Sequence, residues 1–338
     1  MIHRTASLSV ASALLVLAGC AASPVSGFDN GSDAGSDAAT SGGDGATGFK
    51  DGGGGGGSDS GGGGVAVIYA HTDTELFTMD VTTQQVLDIG PFDYAGGALD
   101  PITDLAVNSA GDVWVNTAAA IFTAKIPASP GKVVLTKVAD FKVSASQRFY
   151  ALGFAPAGVL GAGETLVAGD SLGDLYAVET SGATAQLGSF GAGPNGGTYE
   201  LSGDIVFYTQ NGKARGLATV RLYGKSLPVS VSDIVAEIDV PAMSAAYQSK
   251  TPAPTLKKQF LGAGTGFGRL FGVAAWNDSI YAFSRSYVDT NKATVPAQLI
   301  RIDSAGKGTS LQSFPSISLG WDGAGVTTSA AVTVLPPN

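Results

Sequence analysis

The sequence is poor in the residues that most often build metal centres and covalently linked sites. It contains one cysteine, Cys20, and two histidines in 338 residues. A single cysteine excludes a disulfide framework and a multi-cysteine zinc site within the chain. Only His71 lies beyond the first few residues, so a cluster of histidine ligands is excluded as well.

Charge is also scarce, and it is mostly negative. Charged residues make up 14% of the chain, and the net charge of −9 divides into +1 for residues 1–19, −5 for 20–64 and −5 for 65–338. No basic stripe is present, which argues against nucleic-acid binding and against contact of the folded part with anionic lipid headgroups. Beyond the N-terminal segment there is neither a long helical period nor an apolar run that could cross a membrane.

The N-terminal segment has the plan of a secretory signal peptide. A positive stretch ends at Arg4, an apolar run covers residues 6–17, and small residues precede Cys20. The sequence Leu-Ala-Gly-Cys at 17–20 resembles the bacterial lipobox, which implies cleavage after residue 19 and acylation of Cys20 with palmitate-type chains. The alternative is an ordinary signal peptide whose cleavage site lies near Cys20 by chance.

Residues 20–64 predict a lipidated N-terminus followed by a disordered linker. The segment is rich in Gly, Ser, Ala and Asp, including an unbroken glycine run over 52–57, and such a chain buries nothing. Its root-mean-square span is about 35 to 40 Å on the flexible-chain estimate. Ala21 is not the Asp that retains enteric lipoproteins at the inner membrane, so we expect a cell-envelope protein at the outer membrane.

Residues 65–338 predict one all-β domain with an internal repeat of about fifty residues. Short alternating apolar runs are broken by turn residues, which is typical of β-structure. The clearest repeat signal is an apolar strand that ends in an acidic residue, and the copies end at Asp80, Glu179, Asp239 and Asp303, with a degenerate copy over 121–126. A carboxylate at a strand end can accept hydrogen bonds from turn amides.

Each copy is flanked by strands that complete a group of four. The first strand of each group begins near Asp104, Gly153, Asp204, Gly272 and Asp322, and the longer interval before Gly272 is assigned to a loop insertion over 241–254. Repeated four-stranded groups are typical of a β-propeller. The sequence predicts five four-stranded blades in a monomer, with the closing blade shared between the two termini so that no sheet edge is left open.

The repeat has a family resemblance. The segments 102–107 (Ile-Thr-Asp-Leu-Ala-Val) and 111–115 (Gly-Asp-Val-Trp-Val) resemble repeats of the NHL and SMP-30/gluconolactonase-like propellers. The resemblance implies the fold and no activity. Enzymes similar to SMP-30 hold a divalent metal in the channel with Glu, Asn and Asp of a six-bladed ring, and this sequence has no matching set.

Three aspartates are the candidate site residues. Asp104, Asp204 and Asp322 take equivalent places on the innermost strands, which line the channel of a propeller. Converging carboxylates repel each other unless a cation, water or a raised pKa relieves them, and oxygen ligands suit Ca²⁺ or another divalent cation. The favoured alternative is that they cap main-chain amides, with Gly153 and Gly272 needed where strands crowd the axis.

No catalytic set is expected. Residues 169–173 match the Gly-x-Ser-x-Gly nucleophile motif at Ser171, but the motif requires a strand that turns into a helix and an activating histidine, whereas two strands flank this glycine-rich turn. We therefore expect a non-enzymatic, membrane-anchored lipoprotein, at the surface or in the periplasm, that binds an envelope protein or glycan. The alternative is a metal-dependent hydrolase, a lactonase or glycosidase, that uses the three aspartates.

Overall fold

The computed structural model describes residues 67–144, 147–224, 232–288, 293–317 and 320–334. The predicted signal peptide, Cys20 and the linker up to residue 64 lie outside the described residues. In the described part, no helix has the length and apolar character needed to cross a membrane.

Antiparallel strands arranged as meanders make up most of this part of the chain. An eight-stranded sheet has the order β22-β1-β2-β3-β7-β6-β5-β4. Its strands are β1 (Val67–His71), β2 (Glu75–Asp80), β3 (Val86–Asp93), β4 (Ile102–Val107), β5 (Val113–Thr117), β6 (Ala120–Lys125), β7 (Val133–Asp140) and β22 (Gly323–Gly325). The two halves of this sheet meet in a short parallel pairing between β3 and β7.

Three four-stranded sheets follow. The first contains β8 (Phe149–Ala155), β9 (Thr165–Asp170), β10 (Asp174–Val178) and β11 (Thr184–Ser189). The second contains β12 (Thr198–Gln210), β13 (Lys213–Tyr223), β14 (Ile234–Ile238) and β15 (Lys257–Leu261). The third contains β16 (Leu270–Trp276), β17 (Ser279–Ser284), β20 (Ala297–Ile302) and β21 (Gly308–Phe314), with the short pair β18 (Tyr287–Val288) and β19 (Thr294–Val295) inserted before β20.

The inner strands pack against one another in a closed order. Contacts run from β4 to β8, on to β12 and β16, then to β22 and back to β4. Strands near this axis are buried on both faces and are therefore rich in apolar residues, as in β8, where every residue but Tyr150 is buried. The outer strand β7 instead alternates at its start between buried and exposed residues. Radial packing of four-stranded meanders is the architecture of a β-propeller.

The C-terminal strand joins the N-terminal one. β22 pairs with β1 through Tyr69↔Gly325, Ala70↔Ala324 and His71↔Gly323. The fully buried Trp321, just before β22, makes edge-to-face contacts with three rings from separate strands, with centroid distances of 5.0 to 5.4 Å: Phe77, Phe283 and Phe314. Edge-to-face packing adds stability beyond the buried area, so Trp321 anchors the C-terminal segment.

The predicted acidic strand ends accept main-chain amides at two turns and at one helix start. Asp80 Oδ1 accepts from the amides of Thr82 and Thr83 at 2.8 and 2.7 Å. Asp303 Oδ1 accepts from the amides of residues 305 and 307 at 2.9 and 3.0 Å. Asp239 accepts from the Ala242 amide at 3.0 Å, but there it begins a helix.

The prediction of a loop over 241–254 was wrong in its first part. An α-helix, α1, covers Val240–Ser249, with Asp239 as its N-cap and Lys250 in the left-handed conformation at its C-terminal end. The signal was present in the sequence, since an aspartate followed by a proline in the first turn is typical of a helix start. Val240, Met243 and Ala246 bury one face of the helix, although no long apolar period marks it.

Candidate functional site

Asp104 and Asp204 lie fully buried on inner strands, and both hold the next inner strand in place. The Asp104 carboxyl accepts from the Leu105 amide at 2.8 Å and from the Leu152 amide at 2.6 Å. The Asp204 carboxyl accepts from the amides of Ile205 at 2.5 Å and Val273 at 2.7 Å. The alternative of main-chain capping is therefore confirmed for these two residues.

The two carboxyl groups are also coupled to each other. Burial is the largest influence and raises the pKa of both Asp104 and Asp204 well above the ordinary value. The charge of Asp204 and its hydrogen bond with Asp104 raise the pKa of Asp104 further, while that hydrogen bond and main-chain amides act to lower the pKa of Asp204. Two carboxyl groups can hydrogen-bond to each other only when one of them carries a proton, so the pair holds at least one proton in the folded protein.

Asp322 has different partners. It is 3% exposed and forms an ion pair with Arg285, whose Nε and Nη2 both contact Oδ1. Burial raises the pKa of Asp322 to about 6, although Arg285 acts in the opposite direction. The structure thus brings Asp104 and Asp204 into contact and pairs the third aspartate with a cation.

The described residues contain no group of three or more His, Cys, Asp or Glu side chains arranged to hold a metal ion. His71 is fully buried, and its Nδ1 lies 2.7 Å from the Thr72 carbonyl oxygen. Burial lowers the pKa of His71 to about 4, so the imidazole is neutral at pH 7. Binding of Ca²⁺ or another divalent cation by Asp104, Asp204 and Asp322 stays a prediction.

β-Bulges correct the repeat alignment at the axis. Three inner strands each contain one extra residue, which is Thr103, Tyr150 or Phe271. The residues before and after it pair with two consecutive residues of the neighbouring strand, as Ile102 and Asp104 pair with Thr117 and Asn116. Counted from the bulge, Ala151 rather than Gly153 matches Asp104, while Gly272 keeps its predicted place. A bulge shifts every later side chain by one position, which a count of residues along the sequence cannot reveal.

Crowding at the axis explains the glycine at position 272. A Cβ there would lie 2.6 Å from the carbonyl carbon of Gly323 and 2.7 Å from the Ala324 nitrogen. At Gly153 a Cβ would lie 3.1 Å from the Ile205 oxygen, a tight but less severe approach. The predicted need for glycine where strands crowd the axis is thus met most clearly at Gly272.

The same bulges border a cavity of about 710 Å³ at the end of the ring where the inner strands begin. Bulged residues of four inner strands face it: Thr103, Tyr150, Ser202, Gly203 and Phe271. Bulges commonly redirect side chains next to binding sites. Further along the inner strands, Leu105, Leu152 and Ile205 border a cavity of only about 10 Å³.

Three arginines line this mouth cavity: Arg148, Arg221 and Arg285. They are half of the six arginines in residues 65–338, whereas the whole domain is acidic. The two carboxylates in the lining are Asp100 and Asp322, which leaves a net charge of +1 with both ionised. The cavity is therefore a local cationic site on an acidic protein, and a pocket of this size suits a small ligand.

Ser171 of the predicted hairpin also lies in the lining. The turn runs from β9 directly into β10, and Asp170 Oδ1 accepts from the amides of Leu172 and Asp174 at 3.0 and 3.1 Å. The prediction of a hairpin rather than a nucleophile elbow is confirmed. His71 is not among the residues that line the cavity.

Our sequence interpretation missed the three arginines. In an antiparallel sheet, the start of one strand and the end of its neighbour lie at the same edge. Arg148 directly precedes the inner strand β8, Arg285 directly follows β17, and Arg221 is close to the end of β13. An alignment of strand ends across the repeat would have placed all three at one end of the ring.

Comparison with protein-family models finds no match, and no curated protein matches the chain. Similar solved structures include a protein of unknown function from Bacteroides caccae, at 11% identity over 78% of this chain and 99% of that one, with a TM-score of 0.40. A chain of the nidogen/laminin complex is 13% identical over 79% of this chain and 100% of that chain, with a TM-score of 0.42. The Dos1 propeller has 10% identity over 73% and 63%, with a TM-score of 0.35.

These similarities are too low to support a statement about the site or the activity of this chain. The resemblance to NHL and SMP-30/gluconolactonase-like repeats stays a prediction.

Proposed function

We propose that this protein is a lipid-anchored lipoprotein of the cell envelope whose five-bladed β-propeller binds a ligand in the mouth cavity and acts as a binding or scaffolding module. The observation that carries the binding role is the mouth cavity itself, with three arginines on one end of the ring. The described lining contains no nucleophile with an adjacent histidine, which favours binding over hydrolysis.

The five-bladed arrangement is supported by the closed order of inner-strand contacts. In this proposal the eight-stranded sheet comprises two blades, β22-β1-β2-β3 and β4-β5-β6-β7, joined at their outer edges by two residue pairs of β3 and β7. The first of these blades is shared between the termini through the pairing of β22 with β1. Sharing a blade in this way removes an open sheet edge at the seam.

Replacing Cys20 with serine is expected to remove the protein from the membrane fraction, because serine lacks the thiol that carries the lipid. The measurement is palmitate labelling combined with fractionation of envelopes on a density gradient, where the unchanged protein should appear with the outer membrane. Ser23→Ala, three residues further on, is the control and should label and fractionate normally. A Cys20→Ser protein that stays in the membrane fraction contradicts the anchor.

Filling the mouth cavity with a large side chain is expected to abolish binding to isolated envelope material. Ala119 lines the cavity and is exposed, so Ala119→Trp can occupy the space without entering the core. The measurement is co-sedimentation of the soluble Cys20→Ser protein with washed envelopes that lack the native protein. Ala110→Trp, also exposed but outside the cavity lining, is the matched control and should bind normally. Equal binding by the two variants would refute a role for the cavity.

A further inference from the structure

The chemistry of the cavity lining indicates what kind of ligand it takes. Its fixed cations are all arginines and none is a lysine. Arginine presents a planar fork of N–H donors that matches a carboxylate or a phosphate with two parallel hydrogen bonds, whereas lysine acts as a point charge. The lining is thus suited to an oxyanion.

Arg221 is the arginine with donor capacity left over. Within the described residues it forms no ion pair at 4 Å or less, and its buried Nε has no hydrogen-bond partner. Glu200 opposes Arg221 across β12 and β13. A buried donor without a partner is unfavourable, and a bound acceptor would relieve that cost.

The other two arginines have roles that fit around such a ligand. Arg285 is held by Asp322 on one side and lies over the Phe271 ring, with Cζ 4.8 Å from the centroid. Arg148 is exposed at the cavity rim and donates from Nη1 to the Gln147 carbonyl oxygen at 2.8 Å. Arg221 therefore has a donor left to anchor such a ligand, and Arg148 lies at the entrance.

The net charge of the lining favours a monoanion. Three arginines against Asp100 and Asp322 leave +1 among the lining residues. Burial raises the pKa of Glu200 and of Asp233, which lie outside the lining, and Arg221 acts to lower both, so the cavity has no excess positive charge for a phosphate dianion. The cavity of about 710 Å³ is also much larger than an inorganic oxyanion needs. The remaining space therefore belongs to the body of an organic ligand.

The rest of the lining describes that body. Tyr150, which is 43% exposed, offers an aromatic face, and the half-buried Phe271 offers the part of its ring that Arg285 leaves uncovered. Ser171 and Ser202 add hydroxyl groups. Aromatic faces beside a few fixed polar groups suit a ring with one apolar face and a hydroxylated edge. These are features of a sugar ring.

We infer that the mouth cavity binds a carboxylated saccharide, with the sugar carboxylate held by Arg221 and the sugar ring against Tyr150 and Phe271. This inference rests on the proposed function, because it names the ligand class of the same cavity. The carboxylate can belong to a uronic acid or to the lactyl group of muramic acid, since both present the same planar anion on a sugar ring.

The test is isothermal titration of the full-length Cys20→Ser protein at low salt. The carboxylated sugars are trigalacturonate and the disaccharide of N-acetylglucosamine and N-acetylmuramic acid. The comparison probes are fully methyl-esterified trigalacturonate, inorganic phosphate and an acetylated Asp-Asp dipeptide. We expect at least one carboxylated sugar to bind. If the uronate is the ligand, the dissociation constant of the methyl ester should be about tenfold or more higher than that of trigalacturonate, because the ester loses the charge-assisted hydrogen bonds.

Variants separate the anchor from general charge. Arg221→Gln is expected to weaken binding of the carboxylated sugar by about tenfold or more, and the exposed Arg148→Gln by a smaller factor. Arg301→Gln, on the exposed face of β20 and outside the cavity lining, is the matched control and should bind as the parent does. Melting curves check that each variant is folded. If Arg221→Gln does not fold, the weaker binding expected for Arg148→Gln still tests the inference.

The outcomes distinguish the two proposals. If neither carboxylated sugar binds, or if the methyl ester, phosphate or the dipeptide binds as tightly as the sugars, the saccharide inference is overturned. In each of these cases the proposed function still stands as long as Ala119→Trp blocks envelope binding. If Ala119→Trp has no effect on envelope binding, the proposed function fails first and the inference falls with it.

Discussion

A chain that ends at Ile317 is expected to lose its cooperative unfolding transition. The removed segment contains β22 and supplies a row of buried apolar residues to the largest hydrophobic cluster: Trp321, Ala324, Val326, Ala330, Val332 and Val334. The three valines alone contribute about 4.5 to 9 kcal/mol, at roughly 1.5 to 3 kcal/mol each. That is comparable with the total stability of a typical domain, about 5 to 15 kcal/mol.

The measurement is thermal unfolding followed by circular dichroism, with a synthetic peptide of residues 318–338 added back as the control. The peptide is expected to restore the transition in a concentration-dependent way, because it supplies the missing strand between β1 and its inner-strand neighbours. A truncated chain that melts cooperatively at the same temperature as the full-length protein would show that β22 does not close the ring.

Replacing Asp204 with alanine is expected to lower the free energy of unfolding by about 4 kcal/mol. The substitution leaves the amides of Ile205 and Val273 without their acceptor in a fully buried environment, and each unpaired amide costs about 1 to 3 kcal/mol. Urea unfolding measures the change. Asp88→Ala, at an exposed position on β3, is the matched control and should change stability by less than about 0.5 kcal/mol.

The pH dependence of stability gives a second readout for this residue. A pKa raised in the folded state means that the folded chain retains a proton which the unfolded chain releases above the ordinary value of 3.8. The contribution of this aspartate to stability is therefore fully present below that pH and is lost as the pH rises through the folded pKa. In Asp204→Ala, the free energy of unfolding should therefore decline less steeply with rising pH than in the parent protein. If the two proteins lose stability with pH in parallel, the coupling of Asp104 and Asp204 is contradicted.

The same proteins test the metal prediction. If Ca²⁺ or Mg²⁺ is held by the three aspartates, the ion should raise the melting temperature of the parent protein and not that of Asp204→Ala. If the carboxyls serve the main chain alone, the ion should shift neither protein.

The repeat and the β-class were predictable because they depend on local pattern. Alternating apolar residues, glycine-rich turns and acidic strand ends such as Asp80 and Asp303 recur along the chain, and each acts through neighbours a few residues away. The helix over Val240–Ser249 was missed because its local signal is weak. Its apolar face is short, and its start is marked only by an aspartate followed by a proline in the first turn.

The candidate site could be predicted only in part. The sequence selected the buried aspartates, but it could not decide that Asp104 and Asp204 serve the main chain of the adjacent strands while Asp322 serves Arg285. It overlooked Arg148, Arg221 and Arg285, because arginines at strand ends look like ordinary surface charge until the strands are placed side by side.

Composition and short-range order were thus enough to predict the β-rich repeat and to show how few histidine and cysteine side chains the chain has. Which residues form the cavity depends instead on the packing of strands that are distant in the sequence. Bulges at Thr103, Tyr150 and Phe271 shift the register of the inner strands, and contacts between strands distant in the chain bring the arginines together. Register and long-range packing are properties of the assembled ring, so no local pattern carries them.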